Sequence, residues 1–254
     1  MSEAIQASKS ELEAYGFATL RGVFSDHDIR CVERILDTLM LHSAFEYGPS
    51  HRRELSENAL SRVPLQPEFS RPTSVARTLK QTTVYSTCRQ IACLVLGGNA
   101  YYLFDHAIYK MPRGSTITPW HQDQAYLGKV PSVRSLHFWI PLQDTNSVSG
   151  CLRFVPGSHK NALLPHASAY VGNPHVLSVN LDAIRAVDVP LHKGDVSIHT
   201  SLTLHSAGAN RSDAIRKAWI IHFGDKPRWF KHLMKARDLL AVRALRRAGV
   251  TRRS

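Results

Sequence analysis

Apolar residues recur at helical spacing early in the chain and at strand spacing later. In "FSDHDIRCVERILDTLM", Ile29, Val32, Ile35, Leu36 and Leu39 repeat every three to four positions, which predicts an amphipathic helix. Ser25, with Asp28 three residues on, predicts its capping box. The preceding "YGFATLRGVF" reads as a strand. Residues 43–72 are polar, arginine-rich and proline-containing, and predict an irregular loop able to act as a lid. Residues 73–96 return to a helical pattern that Gly97 and Gly98 stop. After Asn99 the character changes. "AYYLFDHAIYKM", "SLHFWIPLQD", "GCLRFVPGSH", "DVSIHTSLTLHSAG" and "RKAWIIHFGD" are short aromatic or β-branched runs between Gly, Pro, Asn and Ser. Such runs predict an all-β sandwich or barrel. The expected architecture is a mainly β barrel preceded by helices, in one domain over residues 1–254, with no internal repeat.

Composition narrows the class. With 254 residues, 43% of them hydrophobic, the chain can bury one substantial core. The four cysteines are scattered, with no CxxC pair, so neither a zinc knuckle nor a disulfide framework is signalled; a reducing cytoplasm is expected. The N-terminus lacks the apolar segment of a signal peptide, and no apolar run is long enough to span a bilayer. The formal charge of +12 favours anionic partners. Much of that excess lies in the C-terminal tail, residues 226–254, which reads as a terminal helix with a solvated basic face.

"TPWHQDQAYL" carries the first chemical signal. On a strand, positions i and i+2 share a face, so His121 and Asp123 can reach one ion while Gln122 points away. Imidazole and carboxylate with a second, distant histidine make the 2-His-1-carboxylate triad that holds non-haem Fe(II) and leaves coordination positions open. Alone, an H-x-D pair is as easily a polar strand surface. Downstream, His199 and His205 compete for the third place. His205 precedes the turn-rich "SAGAN", and eleven residues later Arg216 opens the next strand-like run. Antiparallel pairing around that loop would bring His205 and Arg216 to one mouth of the barrel. A guanidinium there can hold a carboxylate bidentately, as a dicarboxylate such as 2-oxoglutarate requires.

The segments "TPWHQDQAYL", "SLHFWIPLQDTNSVSGCLRFVPGSH" and "LTLHSAGANRSDAIRKA", with the opening "YGFATLRGVFSDHDI", resemble the phytanoyl-CoA dioxygenase (PhyH) family of Fe(II)/2-oxoglutarate oxygenases. The resemblance covers residues 10–225 and leaves the basic tail outside. It implies a double-stranded β-helix, a jelly-roll or cupin-like barrel, with Fe(II), 2-oxoglutarate as co-substrate and O₂. It implies iron ligation by His121, Asp123 and His205, and Arg216 on the distal carboxylate of 2-oxoglutarate. It also implies Trp139 in the co-substrate pocket, with His106 as a further co-substrate contact and Arg62 at a basic co-substrate position. One departure stands out. The family's His-Gly-Ser-Gly here reads His205-Ser206-Ala207-Gly208, so a hydroxyl is missing at Ala207, with Ser206 as the nearest substitute.

The chemistry so implied is hydroxylation, or a related oxidation, of a small-molecule C–H bond, with succinate and CO₂ as co-products. In halogenases of related groups a small residue stands in place of the carboxylate, so Asp123 argues against halogenation. The basic charge favours an anionic small-molecule substrate, with residues 43–72 and 163–190 as its walls. Two other classes remain: a non-catalytic barrel that binds a small molecule or a protein, and an oxygenase that uses the basic tail on nucleic acid. Intact His121, Asp123, His205 and Arg216 oppose the first. The second lacks an aromatic and basic stacking platform.

Overall fold

A computed structural model of the chain describes residues 2–41, 47, 51–57, 65–127, 134–171, 173–181, 185–227 and 229. Helix α1 (Ser2–Tyr15) leads into strand β1 (Phe17–Leu20), followed by helix α2 (Asp26–Leu41). The cap of α2 is local chemistry. The Asp28 N–H donates to Ser25 Oγ at 3.2 Å, and the Ser25 N–H donates back to the Asp28 carboxylate at 3.1 Å. The apolar stripe of α2, Ile29, Val32, Leu36 and Leu39, is buried as its spacing predicts. The helix Thr83–Leu96 ends at Gly97, whose φ of +75° suits glycine.

Two antiparallel sheets follow from the period-2 runs. The larger consists of β1, β2 (Arg52–Glu54), β3 (Pro67–Ser70), β4 (Tyr101–Lys110), β6 (Ser135–Pro141), β11 (Val196–Thr200) and β13 (Arg216–Gly224). Their order is β1-β11-β6-β13-β4-β3-β2. The smaller contains β5 (Thr118–His121), β7 (Leu152–Phe154), β10 (Val187–Val189) and β12 (His205–Ala207), ordered β10-β7-β12-β5. Strands β8 (Ala167–Tyr170) and β9 (Asn173–Ser178) form a separate hairpin. The fold is mainly β, two facing sheets of a jelly roll rather than one continuously bonded ring.

Alternation along each strand sorts the core into two layers. Phe138, Ile140, Ile198, Trp219 and Ile221 point outward from the large sheet and bury α2 and the helix Thr83–Leu96. Trp139, Ala218 and Ile220 point inward against Leu152, Phe154 and Ala207 of the small sheet. The inner layer is therefore where side chains of both sheets meet.

The expected loop over 43–72 is partly strand. β2 and β3 extend the large sheet beyond β4, with Phe69 opposite Ala107. Residues 43–46, 48–50 and 58–64 of that stretch, and 228 and 230–254 of the basic tail, lie outside the described residues. The expected wall at 163–190 contains the β8–β9 hairpin.

Gly150 sets a tight passage behind β12. Its φ is +78°, and a Cβ there would lie 2.4 Å from the Gly208 carbonyl oxygen. The obstacle is backbone, so Gly150→Ala is expected to cost about 1–3 kcal/mol. Thermal unfolding should show a fall of several degrees; an unchanged midpoint would show that the two chains can part freely.

Candidate metal centre

The metal-competent residues come from neighbouring strands of the small sheet. β5 and β12 place His121 directly opposite His205, with ring centroids 4.2 Å apart. β5 ends at His121, and Asp123 sits in the turn that follows rather than on the strand. The turn still delivers its carboxylate: His121 Nε2 is 3.4 Å from Asp123 Oδ1, and His205 Nε2 is 3.7 Å from Oδ2. One ligand atom from each of the three residues falls within 4.8 Å of the others.

Tautomers decide whether these atoms can bind a cation. His121 Nδ1 lies 2.8 Å from the Pro119 carbonyl, and His205 Nδ1 lies 2.9 Å from the Thr203 carbonyl. A carbonyl only accepts, so each Nδ1 carries the hydrogen and each Nε2 keeps its lone pair. Burial, reinforced by His121, drives His205 well below the ordinary histidine range, which keeps it neutral. Burial pushes Asp123 up, but His137, His205 and His121 outweigh it and hold the carboxyl well below the usual range. Two imidazoles that turn Nε2 toward one carboxylate fit a divalent transition metal.

Asp123 also belongs to a second group of three, with His137 and His199. His137 Nδ1 donates to Asp123 Oδ2, and His199 Nε2 lies 3.1 Å from the same oxygen. The other nitrogen of His137 is taken by Ser135 Oγ at 3.1 Å. Both nitrogens of His137 are thus engaged, so this group braces the carboxylate, whereas the His121/Asp123/His205 group offers free lone pairs. Burial takes His199 down to about 4.

His137 and His222 escaped the sequence reading. Strand register aligns His222 with His137, and His137 with His199, as a row of imidazoles across three strands of the large sheet. His222 packs tilted against His137, with centroids 3.9 Å apart. Parity could have found them: His137 is two residues from Trp139 and His222 six from Arg216, so each pair shares a face. Which strands pair is not written in any one segment.

Arg216 starts β13 on the same inner face. It is 2% exposed, its Cζ lies 5.5 Å from the Trp139 ring centroid, and its Nε has no hydrogen-bond partner. No carboxylate pairs with it among the described residues, and burial brings its guanidinium down to about 10. Its cross-strand neighbour, Lys110, is buried too. Lys110 Nζ donates to the carbonyls of Thr116, Ala207 and Gly208 at 3.3, 3.2 and 2.7 Å, which ties β4 to the end of β12. Burial, with the Arg216 guanidinium alongside, pushes Lys110 well below the usual lysine range, so Arg216 is the interior cation without an anion, and it fits the far carboxylate of a dicarboxylate ligand. Trp139 packs against Ala207, Ala218 and Ile220 beneath the guanidinium.

The remaining expected positions divide. His106 donates from Nδ1 to Glu68 Oε1 at 2.6 Å and lines a cavity of about 390 Å³ with His121, Asp123 and His222. Arg216 and Trp139 are not in that wall. Ser206 pairs with Arg153 on the outer face, opposite to His205 and Ala207, so its hydroxyl does not replace the missing one. Arg62 lies outside the described residues.

Residues 12–218 match the profile of the family described as phytanoyl-CoA dioxygenase (PhyH). The peroxisomal phytanoyl-CoA dioxygenase of Bos taurus is 25% identical over 224 residues, covering 84% of this chain and 66% of that protein. A probable phytanoyl-CoA dioxygenase of Caenorhabditis elegans is 30% identical over 130 residues, covering 46% of this chain and 40% of that protein. The chain therefore spans between 40% and 66% of these two curated relatives. Among solved structures, EvdO2 of Micromonospora carbonacea var. aurantiaca, complexed with 2-oxoglutarate, aligns with a TM-score of 0.73 at 28% identity. That alignment covers 87% of this chain and 90% of EvdO2. SnoK, a non-heme alpha-ketoglutarate-dependent carbocyclase from nogalamycin biosynthesis, shares the fold at a TM-score of 0.66 and 21% identity, covering 89% and 84%.

Proposed function

The chain belongs to the phytanoyl-CoA dioxygenase family, and from that premise we propose an Fe(II)- and 2-oxoglutarate-dependent oxygenase that hydroxylates a C–H bond of a small molecule. The observation that carries the reading is that the interior between the two sheets holds both a three-donor group, His121/Asp123/His205, and a buried guanidinium without an anion. The 2-oxoglutarate complex of EvdO2, similar along most of both chains, supports the same co-substrate. We read the described chain as a single catalytic domain.

Bound Fe(II) would supply the O₂-dependent decarboxylation of 2-oxoglutarate and the C–H oxidation coupled to it. The protein's own part is positioning. Pro119 and Thr203 carbonyls fix the ring orientations of His121 and His205. His137 and His199 hold the Asp123 carboxylate from behind. Arg216 would pair with the distal carboxylate of 2-oxoglutarate, over Trp139. The apolar inner layer of Leu152, Phe154, Ala218 and Ile220 keeps water from the space between.

Asp123 bears on the outcome. Its carboxylate takes a position that a halide would need, which supports oxygen transfer over halogenation. The fold itself leaves the outcome open, since SnoK is named a carbocyclase and SnoN an epimerase. Among the described residues no helix is long and apolar enough to cross a membrane, and Cys31, Cys88, Cys93 and Cys151 are free. The free thiols support a reducing compartment.

The test is succinate formation from 2-oxoglutarate under air. It is expected to need Fe(II), to run slowly without a substrate, and to yield product heavier by oxygen and free of chlorine even in chloride-rich buffer. Metal-independent turnover would remove the reading, and a chlorinated product would remove the role given to Asp123.

A further inference from the structure

Strands β8 and β9 pair only with each other. A two-stranded hairpin alone is marginal in water, so this one is held by what it touches. Its turn end is pinned by Asn173, a buried residue opposite Tyr170 in the hairpin register. The Asn173 side-chain amide donates to the Glu54 and Ser56 carbonyls, both at 3.0 Å, and its Oδ1 accepts from the His175 N–H at 3.2 Å. The anchor is itself fixed. The Glu54 carboxylate accepts from the backbone N–H groups of Ser56, Leu65 and Gln66 at 3.1, 3.2 and 2.8 Å, which ties the end of β2 to the start of β3.

Other tethers run to the segment that carries His121 and Asp123. The Leu177 N–H donates to the Tyr126 hydroxyl at 2.8 Å. The Val179 N–H, just past β9, donates to the Trp120 carbonyl at 2.9 Å. Tyr126 stands on the turn that bears the carboxylate. Its N–H donates to the Asp123 carbonyl at 3.1 Å, and its ring lies edge-on to His121 with centroids 5.9 Å apart. The hairpin thus bridges the cavity of about 390 Å³. Leu55 lines it from the β2 flank, His121 and Asp123 from the other, and His175 and Val176 from β9 between them.

We propose that Asn173 and Tyr126 are positioning residues of a hinged cover: Asn173 latches the β8–β9 hairpin over the cavity, and Tyr126 makes the closure depend on the metal site. The proposal rests on the reading of His121, Asp123 and His205 as that site. Val179 on Trp120 is the hinge, Asn173 holds the far end, and Tyr126 touches the hairpin between them. An ion that fixes His121 and Asp123 also fixes the turn on which Tyr126 stands, and so holds its hydroxyl where the Leu177 N–H needs it. The cover is then firmest when the site is loaded, which shields the cavity from water at the time of oxidation.

Amide hydrogen exchange in β8 and β9, Leu177 left out, reads the opening of the cover in the full chain under argon, with and without Fe(II). In the wild type Fe(II) is expected to slow that exchange about fivefold or more. Tyr126→Phe keeps the ring against His121 and removes only the hydroxyl, so Fe(II) should slow it by less than about twofold. Asn173→Asp keeps the shape but turns a carboxylate toward two carbonyls. It should speed exchange about tenfold or more, with or without the ion. Exchange in β4, β6 and β13 should stay at the wild-type rate in both variants. If Asn173→Asp does not fold, Tyr126→Phe decides alone. Equal Fe(II) protection in wild type and Tyr126→Phe would overturn the proposal. So would faster exchange spread through β4, β6 and β13, the mark of residues that only stabilise the fold. Iron content is measured on the same samples. Bound Fe(II) without protection of the hairpin sinks the cover alone, whereas wild-type protein that takes up no Fe(II) sinks the metal-site reading and the coupling with it.

Discussion

Arg216→Ala is expected to raise the KM for 2-oxoglutarate by roughly 30- to 4,000-fold. The figure follows from the cost of removing one partner of a buried, hydrogen-bonded charge pair, about 2–5 kcal/mol. The site justifies the buried value rather than the surface one. Arg216 is 2% exposed, and no carboxylate of the described chain answers it. Arg216→Lys should recover only part, because an ammonium cannot present two parallel N–H groups to one carboxylate. Lys110 will not fill in, since its Nζ is already committed to the Thr116, Ala207 and Gly208 carbonyls. Initial rates of succinate formation and direct titration of 2-oxoglutarate give KM and Kd separately. A wild-type KM in Arg216→Ala would place the co-substrate carboxylate elsewhere.

The second large effect concerns the metal. His121→Ala and His205→Ala are each expected to leave the protein without stoichiometric iron after dialysis, against one Fe per chain for the wild type. His199→Ala and His137→Ala should bind iron roughly 10–100-fold more weakly, as expected for groups that orient a ligand without touching the ion. Asp123→Ala should be worst, because it removes a ligand and leaves His137 and His199 without the oxygen they share. Iron content against a graded chelator ranks the five variants. If His199→Ala lost its iron while His205→Ala kept it, Asp123, His137 and His199 would be the metal group instead.

What could be read from the sequence was what is local. His121 and Asp123 are two residues apart, and Ser25 and Asp28 three apart, so their partners lie within one turn of chain. The alternation after Asn99 revealed the strands because each strand has one inner and one outer face. Arg216 stood out through its short distance from His205 across a turn. The histidine row did not, since His137, His199 and His222 meet only through the pairing of β6, β11 and β13. β2 and β3 were hidden for another reason. β3 is buried at every position and begins with proline, so "PEFS" shows no alternation. Helix α1 carries too thin an apolar stripe in "SEAIQASKSELEAY" to be told from a polar leader.

The unpaired interior guanidinium has a consequence for the life of the protein. Arg216 places positive charge inside the jelly roll without a counter-charge from the described chain. The folded state is therefore electrostatically incomplete until a small dianion enters. A ligand that binds only the folded form adds about 2.7 kcal/mol at a hundred times its Kd, a sizeable share of an ordinary domain's stability. The same molecule would thus be reactant and structural filler. Abundant 2-oxoglutarate would shield the chain from proteases. Protein short of this ligand would stand in its most perishable form, so its lifetime would follow the supply of 2-oxoglutarate.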